Sequence, residues 1–247
     1  MALLSPSQLT DIEAKLERAN ESIHNLNSEI IAFLKPPESG FSENKVVAVN
    51  QFTAHAKRAV PVRFAVLIGE ICQHFRSTLD YILWALSSQE YRRSHENAIA
   101  FPVCVTKPFT KDEVRAYKRK IKGIQSPDAI SFIQRLQPYN GTNPASDPLS
   151  IIHELNRIDK HRALLLVTAH FQARITLPPP IFTQKAIGFY EAEFDVAALG
   201  TNEQMKVEFS QYIALAEIGE WKNQAVIPLL TQLADAVRNI VLEFSKL

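Results

Sequence analysis

The segment from Pro61 to about Ser88 is apolar on nearly every side, carrying Phe64, Val66, Leu67, Ile68, Ile71, Phe75, Leu79, Ile82, Leu83, Trp84 and Leu86. A helix with that pattern has no broad solvated face, so it belongs at the centre of a core with other elements packed around it. Glu70, His74, Arg76 and Asp80 interrupt the run. A charge in such surroundings is costly unless it is paired. Arg76 and Asp80 stand four apart and share a face. They read either as an ion pair inside the bundle that fixes a partner helix or as an anion-holding arginine, with Asp80 orienting that arginine or a histidine.

Helices suited to flank this one lie at both ends of the chain. Ser5 and Pro6 cap and open a helix running to Leu34, where Lys35-Pro36-Pro37 stops it. Leu9, Ile12, Leu16, Ala19, Ile23, Leu26, Ile30 and Phe33 form its single apolar stripe. The closing helix spans 223–247, with Ile227, Leu230, Leu233, Val237, Ile240, Val241 and Phe244 on one side and Pro228 near its start. Such long helices could pair within the chain or across a homodimer. Shorter helices are predicted over Thr110–Ile121, with Thr110 and Glu113 in capping-box register, over Pro127–Leu136, and from Asp147-Pro148 to Lys160. Gln89–Asn97 and Gln137–Pro148 read as loops, and Ile99–Val105 as an extended segment broken by Pro102.

Val- and Phe-rich alternation predicts one strand near 45–59 and a β-rich segment over 163–217. The latter comprises Ala163–Leu177, closed by Pro178-Pro179-Pro180, then Ile187–Val196 and Lys206–Glu217 joined by a turn at Gly200-Thr201-Asn202. No repeat or convincing linker divides the chain. The expected architecture is therefore a single α+β domain over 1–247, a helical bundle beside a small, mostly antiparallel β-sheet.

With 27 basic and 26 acidic residues among 247, the net charge of +1 provides no global field toward nucleic acid or membrane. The start, Met-Ala-Leu-Leu-Ser-Pro, lacks a basic stretch followed by an apolar one, and charges interrupt every apolar run. A soluble, cytoplasmic protein without a membrane association is the expectation. The two cysteines, Cys72 and Cys104, lie in apolar stretches and read as buried thiols. No CxxC, HExxH, Walker or GxSxG pattern occurs, so neither a metal nor a cofactor is expected. A site built from His153, His161 and Asp159, with Asp80, has acceptable ligand types but no metal-specific spacing.

His153, Arg157 and His161 recur every four residues along one helix, with Asp159, Lys160 and Arg162 beside them. Histidine titrates near neutral pH and arginine is a fixed cationic fork, a pairing suited to phosphate chemistry. The same residues equally suit a solvated charged face whose helix C-terminus favours cations, since Lys160, His161 and Arg162 fall in the last turn. We expect Arg76, Asp80, Asp159 and His161 to meet where the two helices cross, with His74, Lys160 and Arg162 contributing to binding. Lys111, Arg115, Lys118, Arg119, Lys120 and Lys122, with Tyr117 among them, make a basic stripe that could follow an RNA backbone, through Lys111, Arg115, Lys118, Arg119 and Lys122, or be a solvated helix surface.

The ordered set of residues 69–81 (centred on Phe75-Arg76-Ser77-Thr78-Leu79-Asp80-Tyr81), Phe101-Pro102-Val103, Gln137-Pro138-Tyr139, Pro148-Leu149 and Asp159-Lys160-His161-Arg162 resembles a bacterial family of uncharacterised proteins with an LRSALDH, FPI, QPY, DKHR pattern. Phe75 and Tyr81 replace the Leu and His of that pattern, so no histidine acts at position 81. The resemblance implies no activity. A weaker likeness is to HEPN-type helical ribonucleases, which carry an Arg and a His on one helix. It implies His161 as the base acting on a ribose 2′-hydroxyl and Arg157 as the group steadying the phosphorane. A binding or interaction module is the first expectation, and a metal-independent ribonuclease using Arg157, His161 and Asp159 is the alternative.

Overall fold

The computed structural model describes residues 3–34, 41–45, 52–56, 60–162, 167–176, 191–193, 206–215, 221 and 224–247. Seven α-helices stand among them: α1 (Pro6–Leu34), α2 (Val62–Leu86), α3 (Gln89–Ser94), α4 (Lys111–Ile121), α5 (Pro127–Arg135), α6 (Pro148–Arg162) and α7 (Val226–Lys246). The strands are β1 (Phe41–Lys45), β2 (Phe52–Ala56), β3 (Val167–Thr176), β4 (Glu191–Glu193) and β5 (Lys206–Leu215). The chain falls into two compact units, one of residues 1–25, 66–165 and 228–247, the other of 26–65 and 166–227.

The first unit is a helical bundle, and α2 carries its core. Ile68, Ile71, Cys72, Phe75, Leu79, Ile82 and Leu83 are all buried, whereas Val66 reaches solvent. The α1 stripe is buried as expected from Ile12 onward, with Leu9 half-buried. α1 runs antiparallel to α2, and a ladder of polar contacts fixes the register. Gln8 donates to the Ala85 carbonyl, the Tyr81 hydroxyl donates to Asp11 at 3.2 Å, and Lys15 donates to Ser77 Oγ at 3.2 Å. Tyr81 thus uses its hydroxyl to tie α2 to α1, with the Lys15 ammonium 5.5 Å from its ring centroid. From α7, Leu230, Leu233, Val237, Ile240, Val241 and Phe244 enter the core, and Phe244 meets Phe132 of α5 edge-on at 4.8 Å.

Local chemistry sets the short helices. Thr110 and Glu113 close a reciprocal capping box at the start of α4. Ser126 caps α5, with Pro127 at its first position. The stretch expected as a loop at 89–97 instead begins with α3, capped by Ser88. The reason is Tyr91, whose buried ring stacks on His95 and whose hydroxyl donates to the Arg119 carbonyl at 2.6 Å. That anchor converts a polar stretch into a docked helix. Gly123 makes the docking sterically feasible, because a Cβ there would overlap the Tyr91 ring.

The extended segment 101–104 belongs to no ladder, and side chains satisfy its backbone. Gln137, which is 1% exposed, donates to the Pro102 carbonyl at 3.1 Å and to the Ile133 carbonyl at 2.9 Å. Its carboxamide oxygen accepts from the Cys104 N–H at 3.1 Å. The Tyr139 N–H then donates to the Cys104 carbonyl. One glutamine therefore takes the place of a neighbouring strand.

In the second unit, β1 and β2 pair antiparallel with Phe41 opposite Ala56, and β4 pairs antiparallel with β2. β3 and β5 form a separate antiparallel ladder of ten pairs, from Val167 opposite Leu215 to Thr176 opposite Lys206. Two expectations change. The single strand near 45–59 is replaced by two short strands, β1 and β2. Among the described residues, those at 191–193 and 206–215 do not pair with each other. Their strands β4 and β5 pair with β2 and β3, because a ten-residue partner satisfies more of β5's backbone than three residues could. The turn expected at Gly200-Thr201-Asn202, the triple proline and the Lys35-Pro36-Pro37 stop lie outside the described residues. Arg63 and Glu29 form a two-pronged surface pair in this unit, and Phe33 packs edge-on against Phe64. Among the described residues no helix is long and apolar enough to cross a membrane.

Removing the Gln137 carboxamide strands two carbonyls and an N–H. Gln137→Ala should lower unfolding free energy by about 2–4 kcal/mol in chemical denaturation. A loss below about 0.5 kcal/mol would show that the 101–104 segment is held by packing alone.

Candidate functional site

α2 and α6 run antiparallel past each other within the first unit. Near one end of the contact, Gly69 faces Asp159, and a Cβ at Gly69 would overlap the Asp159 carboxylate. The missing Cβ at Gly69 therefore makes room for a side chain. Burial and the neighbouring Glu70 raise the Asp159 pKa, with Lys160 opposing. Beneath it, burial and the Asp159 charge push the Cys72 thiol far up, so this thiol is inert.

Seven residues along α2 from Gly69, roughly 10 Å at helical rise, lies Arg76. Its side chain is 9% exposed. Nε donates to Asp80 Oδ2 at 3.2 Å, and Nη2 meets Asp80 Oδ1 at 2.8 Å. Nη2 also donates to the Phe101 carbonyl at 2.7 Å, while the Phe101 N–H donates to Asp80 Oδ1 at 2.7 Å. The pair grips both backbone groups of one buried residue. The third guanidinium nitrogen, Nη1, is buried and has no hydrogen-bond partner among the described residues. Buried donors are rarely left this way, and a functional role is one reason they are.

Two further titratable groups, Lys120 and His153, feel the Arg76 charge. The inward face of α4 consists of Val114, Tyr117, Lys120 and Ile121, all half-buried or buried. Lys120 makes no ion pair among the described residues. Burial and the Arg76 charge lower its pKa, Arg119 adds to the effect, and Cys104 and Asp80 oppose it. From α6 comes His153, held below the usual histidine range by burial, then by Arg76 and Lys120, with a smaller contribution from Arg157 and opposition from Glu154. By accessible surface His153 is nonetheless an exposed residue of α6. The Tyr117 hydroxyl is buried without a partner, and its pKa is raised by burial and by Tyr139 and Cys104. Lys120 and Arg76 thus bear like charge in a place where ionisation is already costly.

The expected meeting of Arg76 and Asp80 with Asp159 and His161 does not form. Asp159 sits two turns away along α2, and His161 is exposed near the end of α6. The reason is helix phase: antiparallel to α2, it is His153, not His161, that α6 brings level with Arg76. Arg157 is exposed, its Nε and Nη2 bound to Glu154 at 2.8 and 2.6 Å. Lys160 is exposed, and the Arg162 side chain lies outside the described ones. His74 faces α1, where burial, Arg18 and Lys15 lower its pKa against the influence of Glu70. Lys111, Arg115, Lys118, Arg119 and Lys122 are all exposed. Among the described residues no group of three His, Cys, Asp or Glu side chains is placed to hold a metal ion. Lys120 and Tyr117 were hidden in the basic stripe. Their spacing from Val114 and Ile121 was the signal that they point inward.

No family model matches the chain, and neither the curated proteins nor the solved structures contain a match.

The raised Asp159 pKa carries a sign. Its contribution to stability is full below the unfolded carboxyl value and is lost as pH rises through the folded value. Asp159→Asn is free of that loss. It should melt higher than wild type at pH 7 and equal to it near pH 3. Equal melting at both pH values would show that the carboxylate is unperturbed. Arg76→Ala should cost about 3–5 kcal/mol, because it orphans Asp80 and the Phe101 carbonyl. Denaturation at pH 7 measures that loss, and a cost under about 1 kcal/mol would remove the clamp from the core's supports.

Proposed function

We propose that this protein is a non-catalytic binding module that takes its ligand where α2, α4 and α6 converge on Arg76. The observation that carries this reading is the buried Arg76 Nη1, which has no hydrogen-bond partner among the described residues, together with Lys120, a half-buried ammonium that makes no ion pair among them and whose pKa burial and the Arg76 charge lower. A cluster kept only for stability would place an acid or an apolar side chain there, since unpaired charge near a like charge weakens the fold. Retained cost of this kind is a mark of a binding site. Asp80 and the 101–104 segment hold Arg76 in place, so the site rests on rigid elements.

The second reading is a metal-independent ribonuclease. Arg157 and His161, four apart on α6, are both exposed, and the basic residues of α4 would grip RNA. The two-pronged bond from Glu154 to Arg157 weighs against it, because a guanidinium already neutralised has less charge to offer a developing oxyanion.

Two measurements separate the readings. Lys120→Met should melt at or above the wild-type temperature without ligand, because repulsion with Arg76 is relieved and the aliphatic stem is kept. A fall of several degrees would make Lys120 a structural strut and overturn the binding site. Incubated with single-stranded and structured RNA in EDTA, the protein should leave both intact. Cleavage that disappears in His161→Ala, at unchanged melting temperature, would establish the nuclease instead.

A further inference from the structure

We infer that the outer face of α4, with Phe109 at its head, binds single-stranded nucleic acid. This surface is separate from the Arg76 site and does not rest on it, and binding there calls for no cleavage. At helical periodicity Lys111, Arg115, Lys118, Arg119 and Lys122 fall within one sector of about 100° around α4. All five are exposed. Asp112 and Glu113, the two acids of the helix, fall outside that sector. The capping box fixes the start of α4, and the Tyr91 bond to the Arg119 carbonyl ties down its last turn. The row of cations therefore stands on a rigid support.

No carboxylate among the described residues answers these cations. On α1, α6 and α7 a surface cation three residues from an acid pairs with it, as in Arg18–Glu21, Arg157–Glu154, Arg238–Asp235 and Lys246–Glu243. On α4, Asp112 stands at that spacing from Arg115 and forms no ion pair with it. The Glu113 carboxylate is occupied by the cap, where it accepts the N–H groups of Phe109 and Thr110 at 2.9 Å. Along the axis Lys111, Arg115, Lys118 and Lys122 follow one another at steps of about 4.5–6 Å, in a row about 16 Å long. Those steps are comparable with the interval between neighbouring phosphates of one strand, so the row can track a backbone over a few nucleotides.

Phe109 supplies a second, independent feature. Its side chain is 92% exposed, well beyond Val62 at 62%, the next large apolar residue among the described ones. Its N–H bond to Glu113 fastens its backbone to the helix that carries the cations. An aromatic ring held in water beside a cationic row is a platform for an unstacked base. A duplex keeps its base faces stacked and gives Phe109 nothing to cover. A bilayer binds a helix through an apolar face, and on α4 Val114, Tyr117 and Ile121 are turned inward. Charge and ring together thus favour a single strand over a duplex or a lipid surface.

Fluorescence anisotropy of the full chain with short labelled oligouridylate and oligothymidylate tests this. Between about 50 and 200 mM salt, binding should weaken by roughly 50-fold or more, a logarithmic slope of about −3 that corresponds to four or five phosphates of a single strand. Lys118→Gln combined with Lys122→Gln should make that slope shallower by about 1.4. Phe109→Ala should weaken binding by about fivefold or more and leave the slope unchanged, a split that charge attraction alone does not produce. Both variants change exposed side chains and should melt like wild type. A wild-type slope shallower than about −1 overturns the inference, as does Phe109→Ala binding within about twofold of wild type. A duplex of the same length bound as tightly as the single strand also overturns it. Phosphatidylcholine vesicles containing phosphatidylserine, and polyglutamate, carry negative charge without bases. Binding to either as tight as to the oligonucleotides would assign the surface to a membrane or an acidic protein and overturn the inference. Whether oligouridylate or oligothymidylate binds more tightly decides between RNA and DNA, and either result sustains it.

Discussion

The grip of Arg76 and Asp80 on Phe101 organises the first unit. Phe101 is wholly buried in a segment without a strand partner, and its N–H and carbonyl would otherwise be desolvated and unpaired. A charged pair one helical turn apart supplies both a donor and an acceptor to it. The arrangement brings an arginine into the core, and the hydrogen bonds on two of its three nitrogens make that tolerable. The remaining nitrogen gives the site its character. Structure and proposed function therefore draw on the same side chain.

The motif residues that stood out in the chain are joined through this network. Phe101 and Pro102 are held by Arg76, Asp80 and Gln137, and Tyr139 closes on Cys104. Segments far apart in sequence are thus one hydrogen-bonded assembly. Asp159 belongs to a separate contact, in which an unpaired carboxylate occupies the space left by Gly69 above an inert Cys72. The two contacts share helices α2 and α6 but not their chemistry.

Much of the bundle was legible because its signals are local. The spacing along α1, the box at Thr110 and Glu113, and the apolar face of α7 each lie within one element, and each matches what forms. What escaped depends on partners. The docking of Tyr91 against Arg119, and the pairing of β5 with β3 rather than with its neighbour in sequence, are decided by distant backbone. The candidate site was half legible. Arg76 and Asp80 declare themselves as charges in an apolar helix. Choosing His153 over His161 requires the antiparallel phase of α6 against α2. Recognising Lys120 requires knowing which side of α4 turns inward.

The side-chain bonding of residues 101–104 also shields the protein from its neighbours. Phe-Pro-Val-Cys is an apolar, extended stretch of the kind that recruits a strand from another molecule when its backbone is free. Here both groups of Phe101, the Pro102 carbonyl and both groups of Cys104 are already taken, and proline has no N–H to offer. Only Val103 keeps its peptide groups outside these bonds, too little to template an intermolecular β-ladder. The polar residues that hold the core thus act as a guard against aggregation.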